Sequence, residues 1–255
     1  MTIKPRKIAA SSALSTRSPA IPKAAMLMAA GMGQRMRPLT DTIPKPLVPV
    51  LGRPLIDHAL DRLVEAGVTR AVVNLHYRGD QLRAHLANRR DIEIVFSDET
   101  AQLMDTGGGV VKALPLLGDE PFIVQNTDSI WVEGMGSTFA RLADSFDPER
   151  MDSLLLLAST VTSLGYWGRG DFVMDEEGRI ARREEQRVTP FVWTGVQICH
   201  PRLFEDCPTG PFSTNLVLNR AIESGRLYGL RHDGIWMHVG CPDGLKAAED
   251  FLTNR

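Results

Sequence analysis

The stretch Ala24-Ala25-Met26-Leu27-Met28-Ala29-Ala30-Gly31-Met32-Gly33 decides the fold class of this chain. Its first five residues are apolar and predict a buried strand, and the glycines that follow predict a tight loop. Glycine lets the backbone approach a ligand closely and point its N–H groups at it. Because ligands of open α/β sheets bind beyond the carboxyl ends of the strands, this loop is a candidate binding site.

Apolar runs alternate with helical patterns along the rest of the chain, which predicts an α/β fold with a mainly parallel sheet. Residues 55–66 carry apolar side chains at helical spacing and are followed by Gly67. Residues 70–75, which contain Ala71, Val72 and Val73, and the apolar residues 122–124 predict further strands. No linker rich in proline, glycine or serine divides residues 23–255, so we expect a single domain.

Composition excludes several classes of function. The 255 residues are 43% apolar and 24% charged with a net charge of −2, which implies no bulk attraction to nucleic acid or to an anionic membrane. No apolar run is long enough to span a bilayer. The three cysteines show no metal-binding spacing, which favours a reducing compartment. We expect a cytoplasmic protein, a monomer or small homo-oligomer, without nucleic-acid or membrane partners.

Residues 1–22 differ from the rest of the chain. They are rich in Lys, Arg, Ser, Thr and Pro and contain no Asp or Glu. This composition is similar to that of an organelle transit peptide, but it is also typical of a disordered terminus with little apolar content. We favour a flexible N-terminal extension.

Cationic residues cluster after the glycine loop. Arg35, Arg37 and Lys45 follow within fifteen residues of Gly31, and guanidinium and ammonium groups beside exposed backbone N–H groups suit a polyphosphate. The third glycine of a dinucleotide-binding motif and the Gly-Lys-Ser/Thr of a P-loop are both missing. The alternative is a turn with solvated charges, but three cations without acidic partners favour a nucleoside triphosphate site.

Two further segments have both a functional and a structural interpretation. Asp128 follows an apolar strand, where a carboxylate can hold Mg²⁺, although a turn aspartate is equally compatible with the spacing. Thr106-Gly107-Gly108-Gly109 precedes a predicted helix and could present N–H groups to a ligand or admit a flat base. A plain helix entry is the alternative, but three glycines exceed what a cap needs. His238 alternates with apolar residues on a predicted strand and by itself indicates a structural histidine.

Taken together, residues 31–40 and 44–47 resemble the signature of the sugar-1-phosphate nucleotidyltransferases, also called NDP-sugar pyrophosphorylases. The resemblance extends from Lys23 to the C-terminus. It implies a three-layer α/β/α Rossmann-like nucleotide-diphospho-sugar transferase fold with a mixed, mainly parallel central sheet. Residues 23–132 would form the NTP-binding half and residues 133–255 the sugar-phosphate-binding half. The implied reaction joins an NTP to a sugar 1-phosphate and releases pyrophosphate.

Within that family, residues 105–109 and 112–119 are most similar to members that join UTP to N-acetylmuramic acid 1-phosphate. Members that join GTP to mannose 1-phosphate share the opening signature and remain an alternative. A transferase acting on other alcohol phosphates, and a regulator that binds nucleotide sugars with little catalysis, also remain open.

The resemblance also implies a role for individual residues. Catalysis would depend on Arg35, Lys45 and Asp128, with Mg²⁺ as the cofactor bound by Asp128. The NTP would be held by Ala30, Gly31, Gly33, Arg35, Glu99, Thr106, Gly107 and Gly108, of which Glu99 and residues 106–108 would face the base. The sugar phosphate would be faced by Asn126, Glu184 and Gly195.

This chain departs from the family pattern at two positions. Many members carry a metal-binding Asp where this chain has His238, so it stays open whether His238 is a ligand and whether Mn²⁺ replaces Mg²⁺. Gln186 stands where a Lys is common, and Arg182, Arg183 or Arg187 could supply the missing charge.

Overall fold

The computed structural model describes residues 20–255, and the predicted extension of residues 1–22 lies outside that range except for its last three residues. The strands are β1 (Ala24–Met28), β2 (Pro49–Val50), β3 (Arg53–Pro54), β4 (Arg70–Leu75), β5 (Glu93–Asp98), β6 (Phe122–Asn126), β7 (Ser129–Val132), β8 (Ser153–Ser159), β9 (Phe172–Met174), β10 (Ile180–Arg182), β11 (Phe191–Cys199), β12 (Leu227–Arg231) and β13 (Ile235–His238). The helices are α1 (Leu55–Ala66), α2 (Gly79–Leu86), α3 (Asp105–Leu117), α4 (Thr138–Ser145), α5 (Asn215–Glu223) and α6 (Pro242–Thr253). Short 3-10 helices span Gln34–Met36, Leu39–Asp41, Lys45–Leu47 and Pro201–Phe204.

A mixed sheet forms the centre of the molecule. β1 pairs in parallel with β4 and β6, and β4 pairs in parallel with β5. β11 is antiparallel to β6 and to β8, and β12 is parallel to β8. Because β1, β4 and β6 run in the same direction, their carboxyl ends meet at one edge of the sheet. That edge carries the predicted glycine loop and Asp128.

Helices cover both faces of this sheet, which confirms the three-layer α/β/α architecture. One face packs against α1, α2 and α4 through buried side chains such as Ile56, Leu82 and Phe139. The other face packs against α3 and α5 through side chains such as Val110 and Val217. Alternate residues of each strand enter opposite layers, as the period of two requires. Within residues 20–255, no helix is long and apolar enough to cross a membrane.

The predicted elements 55–66 and 70–75 are confirmed as α1 and β4, and α1 ends at Gly67 with a left-handed backbone. The sequence-based prediction did not include β7 and α4, nor the short strands β2 and β3. β7 pairs with β13, and this pairing joins residues about a hundred positions apart. α4 is short and begins after Ser137, whose hydroxyl accepts from the Ala140 N–H.

Asp152 ties three segments together at the sheet edge opposite the glycine loop. Its Oδ1 accepts from Nε of Arg202 at 2.5 Å and from Nε of Arg226 at 2.7 Å. Burial alone would raise the pKa of Asp152, but the hydrogen bonds from both guanidinium groups hold this pKa below its ordinary value. The carboxylate is therefore the form that supports the fold.

Candidate active site

A cleft of about 310 Å³ opens beyond the carboxyl ends of β1, β4 and β6. It lies where the topology of an open α/β sheet predicts a ligand. Most predicted catalytic and phosphate-binding residues meet there although they are far apart in sequence. Its walls are formed by Met28, Ala29, Ala30, Gly31, Arg35, Lys45, Pro46, Asn74, Leu103, Asp105, Thr106, Asn126, Thr127 and Asp128.

The two predicted glycines of the first loop have different roles in the structure. A Cβ on Gly31 would meet nothing within 4 Å, so the missing side chain leaves open space in the cleft wall. Gly33 has a φ of +63°, and a Cβ there would meet Cγ2 of Thr40 at 3.0 Å. Gly33 is therefore required by the turn itself, while Gly31 leaves room for a ligand.

The predicted cations divide into two groups. Arg35 is exposed on the 3-10 helix Gln34–Met36 and lines the cleft, and Lys45 lines it from the 3-10 helix Lys45–Leu47. Arg37 instead forms an exposed ion pair with Asp41 at 3.2 Å and is not part of the cleft wall. Arg35 and Lys45 are therefore the cations that a bound polyphosphate would meet.

Lys45 and Asp128 form the electrostatic centre of the cleft. Lys45 Nζ lies 2.5 Å from Asp128 Oδ2, and each side chain is only 14% exposed. Burial would raise the pKa of Asp128, but Lys45 and, in addition, His238 and Arg35 hold this pKa below its ordinary value. Asp128 is therefore ionised at neutral pH, although little of it contacts solvent.

His238 lies beside this pair at the end of β13. Its Nδ1 is 4.0 Å from Asp128 Oδ2, and its ring stacks on that of Trp236. Burial lowers the pKa of His238, with Lys45 and Arg35 acting in the same direction and Asp128 against them. A neutral imidazole is therefore favoured at neutral pH. Among residues 20–255, no group of three or more His, Cys, Asp or Glu side chains is arranged to hold a metal ion.

Glu99, which the family resemblance predicts to face the base, is enclosed by the protein. Its side chain is 0% exposed. Oε1 accepts from Asn74 Nδ2 at 2.7 Å, and Oε2 accepts from the Met104 N–H at 3.0 Å. Both carboxyl oxygens already bind the chain, and Glu99 is not part of the cleft wall, so its predicted contact with a base stays a prediction.

The three glycines of α3 are also explained by the chain itself. The N–H groups of Gly107 and Gly108 both donate to the carbonyl of Phe212, at 2.8 and 3.1 Å, so they are not free for a base. A Cβ on Gly108 would lie 2.4 Å from the Gly210 carbonyl oxygen, and a Cβ on Gly109 would lie 2.9 Å from Glu99 Oε1. Thr106 lines the cleft, and its predicted contact with a base stays a prediction.

The predicted sugar-side residues are only partly brought together. Gly195 has a φ of +81°, and a Cβ there would lie 2.5 Å from Nδ2 of Asn126, so the bare backbone lets the Asn126 side chain pack against it at the cleft. Glu184 is exposed, pairs with Arg187 at 2.7 Å and is not part of the cleft wall. Arg182 donates to Asn215 and Asn219, and Arg183 donates to backbone carbonyls.

Asn74 is a buried polar residue of the cleft that sequence reasoning missed. Its Oδ1 accepts from the N–H groups of Ala29 and Ala30, at 2.6 and 3.1 Å. The signal in the sequence was a single amide inside the apolar run Ala71-Val72-Val73-Asn74-Leu75. A polar residue at a buried strand position needs a partner, and a strand alone does not reveal which partner it has.

Residues 24–255 match the model of the nucleotidyl transferase family, and the chain belongs to that family. An N-acetylmuramate alpha-1-phosphate uridylyltransferase of Caulobacter vibrioides is 48% identical over 91% of this chain and 98% of that protein. One from Neisseria meningitidis is 36% identical over 88% of this chain and 96% of that protein. Mannose-1-phosphate guanylyltransferases are more distant, with 28% identity to that of Drosophila melanogaster over 90% of this chain and 61% of that protein.

A solved structure of UDP-glucose pyrophosphorylase with UDP-glucose shares this fold. The TM-score is 0.71 at 19% sequence identity, and the match covers 91% of this chain and 99% of that one. At this level of identity the likeness supports the architecture, while function depends on the residues of the site.

Proposed function

We propose that this chain transfers a uridylyl group from UTP to N-acetylmuramic acid 1-phosphate. The products would be the UDP-sugar and pyrophosphate. The substrate pair is suggested by the names of the 48%- and 36%-identical relatives, which this chain matches over nearly their whole length. The observation that carries the proposal is the Lys45–Asp128 pair in a cleft that Gly31 and Arg35 also line.

The reaction needs alignment and charge neutralisation more than it needs a base. A phosphate oxygen of the sugar 1-phosphate would attack the α-phosphorus of UTP, and the bond to the β-phosphate would break to release pyrophosphate. Because the attacking oxygen is already anionic, no side chain has to remove a proton. Arg35 and Lys45 would orient the triphosphate and neutralise its charge in the transition state.

The acidic side chain of the cleft fits a magnesium site. Mg²⁺ in nucleotide sites is commonly held by one or two carboxylates, water and substrate phosphates. Lys45 engages Oδ2 of Asp128, and Oδ1 is the oxygen that would hold Mg²⁺. Bound there, Mg²⁺ would neutralise phosphate charge. We give His238 a minor role, because a neutral imidazole is a poorer partner for Mg²⁺ than a carboxylate and would suit Mn²⁺ better.

We assign the reaction to the cytoplasm. Cys199, Cys207 and Cys241 are free thiols, which suits a reducing compartment. The partners of the chain there would be its two substrates, UTP and N-acetylmuramic acid 1-phosphate.

Pyrophosphate release by the purified full-length chain tests the proposal. UTP, GTP, CTP and TTP are each paired with N-acetylmuramic acid 1-phosphate, mannose 1-phosphate and glucose 1-phosphate, with Mg²⁺ or Mn²⁺. We expect the highest kcat/KM for UTP with N-acetylmuramic acid 1-phosphate. A clear preference for GTP with mannose 1-phosphate would replace the proposed substrates. Tight UTP binding in calorimetry without turnover of any pair would instead favour the regulator.

A further inference from the structure

A chain of buried hydrogen bonds connects two segments that border the cleft. Asn74 Oδ1 accepts from the N–H groups of Ala29 and Ala30 at 2.6 and 3.1 Å. Asn74 Nδ2 donates to Glu99 Oε1 at 2.7 Å, and the Met104 N–H donates to Glu99 Oε2 at 3.0 Å. Two side chains thus join the backbone of the β1 loop to the backbone just before α3.

The burial of both side chains makes this network strong. Asn74 is 1% exposed and Glu99 is 0% exposed, so neither can exchange its partner for water. Hydrogen bonds in such an environment are reinforced by the low dielectric, and losing one partner leaves a buried polar group unsatisfied. The network therefore holds its two ends in one relative position.

The two ends lie on different parts of the predicted nucleotide site. Ala29 and Ala30 precede Gly31 and form the wall on the side of Arg35 and Lys45. Met104 lies between Leu103 and Asp105, which form the wall at the start of α3. A triphosphate and its base need binding groups at both places at once.

Packing around Glu99 also holds the network in place. A side chain at position 109 would lie 2.9 Å from Glu99 Oε1 and 3.2 Å from Asn74 Nδ2, so Gly109 makes room for the network. Beyond Met104, the Phe212 N–H donates to the Met104 carbonyl at 3.2 Å. The segment 103–106 is therefore held from two sides, by Glu99 and by the chain around Phe212.

We propose that Asn74, oriented by Glu99, is a positioning residue. It sets the spacing between residues 29–31, on the side where the phosphates would bind, and the segment 103–106, on the side where the base would bind. The proposal rests on the nucleotide site proposed above. Asn74 and Glu99 act through the backbone of Ala29, Ala30 and Met104. Preorganised spacing matters because a misplacement of about 1 Å in a nucleotide site costs about a hundredfold in rate.

Amide hydrogen exchange of the unliganded chain tests the coupling directly. In the Asn74→Ala variant we expect Ala29 and Ala30 to exchange at least about tenfold faster, and Met104 as well, although Met104 does not touch Asn74. Ser97→Ala is the matched control. Ser97 pairs with Asn74 in the sheet, is 3% exposed, and its hydroxyl has no hydrogen-bond partner among the described residues. Unchanged exchange at Met104 in a folded Asn74→Ala variant would overturn the proposal.

A pair of isosteric substitutions makes the test independent of side-chain loss. Asn74→Asp alone places two carboxyl groups against each other, and Glu99→Gln alone leaves one donor facing another. The Asn74→Asp/Glu99→Gln double variant restores all four hydrogen bonds, because the amide and the carboxylate exchange positions. We expect faster exchange at Met104 and Ala29 in both single variants, and exchange within about threefold of wild type in the double variant. Additive effects, with no recovery, would contradict the coupling.

Kinetics provides a second measurement on the enzyme. In Asn74→Ala we expect KM for the NTP to rise at least about tenfold while KM for the sugar 1-phosphate stays within about twofold. Equal changes in both constants would indicate a general structural defect and would refute the positioning role. If the wild-type chain turns over none of the tested pairs, the proposed function fails, and the exchange experiment still decides whether the coupling exists.

Discussion

Replacing Lys45 by methionine removes the ammonium group that lies 2.5 Å from Asp128 in the cleft. Methionine keeps the length of the side chain, so the change is mainly one of charge. Preorganised groups that stabilise charge in a transition state contribute about 100- to 1,000-fold to the rate, which corresponds to ~2.7–4 kcal/mol. We expect kcat/KM of Lys45→Met to fall by this factor, measured as pyrophosphate release.

The same substitution has a separate cost in stability. Removing one partner of a buried ion pair costs roughly 3–5 kcal/mol, because the other charge is left unpaired. Both side chains are 14% exposed here, and the Arg35 guanidinium still acts on Asp128. We therefore expect the free energy of unfolding in urea to drop by only about 1–2 kcal/mol. The Lys45→Met/Asp128→Asn double variant should regain this stability but not the activity.

Lys23→Met is the matched control for this experiment. Lys23 precedes β1 at the opposite edge of the sheet and donates to the Gly67 carbonyl at 3.3 Å. It should keep wild-type kinetics, and its stability should change by less than about 0.5 kcal/mol. A folded Lys45→Met variant whose kcat/KM lies within about threefold of wild type would refute the role of Lys45 in the reaction.

Three further predictions concern other parts of the molecule. Asp152→Asn should lower the free energy of unfolding at pH 7 by about 1–2 kcal/mol. Because the pKa of Asp152 is lowered in the folded chain, this difference should be complete above about pH 4 and shrink as the pH falls further, so an undiminished difference at pH 3 in urea titrations would contradict it. Gly195→Ala should raise KM for the sugar 1-phosphate, since φ at Gly195 is +81° and the new Cβ would displace the Asn126 side chain. An unchanged KM in a folded variant would exclude a contact between Asn126 and the sugar 1-phosphate. His238→Asp should lower the Mg²⁺ concentration needed for half-maximal turnover, and an identical Mg²⁺ titration would place position 238 outside the metal site.

Local sequence was sufficient wherever a pattern determines its own structure. The apolar run of β1, the glycine loop and the helical spacing of α1 each predict an element without reference to the rest of the chain. The cations Arg35 and Lys45 could be predicted as cleft residues for the same reason, because they follow the glycine loop closely in the sequence. The expectation that the cluster lacks acidic partners was wrong, since Lys45 pairs with Asp128 and Arg37 with Asp41. The proximity of Arg35 and Lys45 to Asp128 could also be predicted, because the carboxyl ends of parallel strands lie at the same edge of a sheet.

The roles of Glu99 and of residues 107–109 could not be read in this way. A carboxyl group near a glycine-rich turn suggests a ligand contact, but burial and the partners Asn74 and Met104 turn it inward. Those partners lie on other segments of the chain, and no sequence spacing predicts that they bind Glu99. Similarly, β7 is too short to stand out in the sequence, and its partner strand β13 lies about a hundred residues further along the chain.

The sequence by itself determined the α/β architecture, the position of the glycine loop and the type of charge in the candidate site, because strand and helix periodicity and local charge are properties of neighbouring residues. Only the tertiary structure decided which polar groups face the cleft and which hold it from behind. Hydrogen bonds and burial join residues that are distant along the chain, as Asn74 and Glu99 show, and the packing of the layers decides whether a carboxyl group meets a ligand or the backbone.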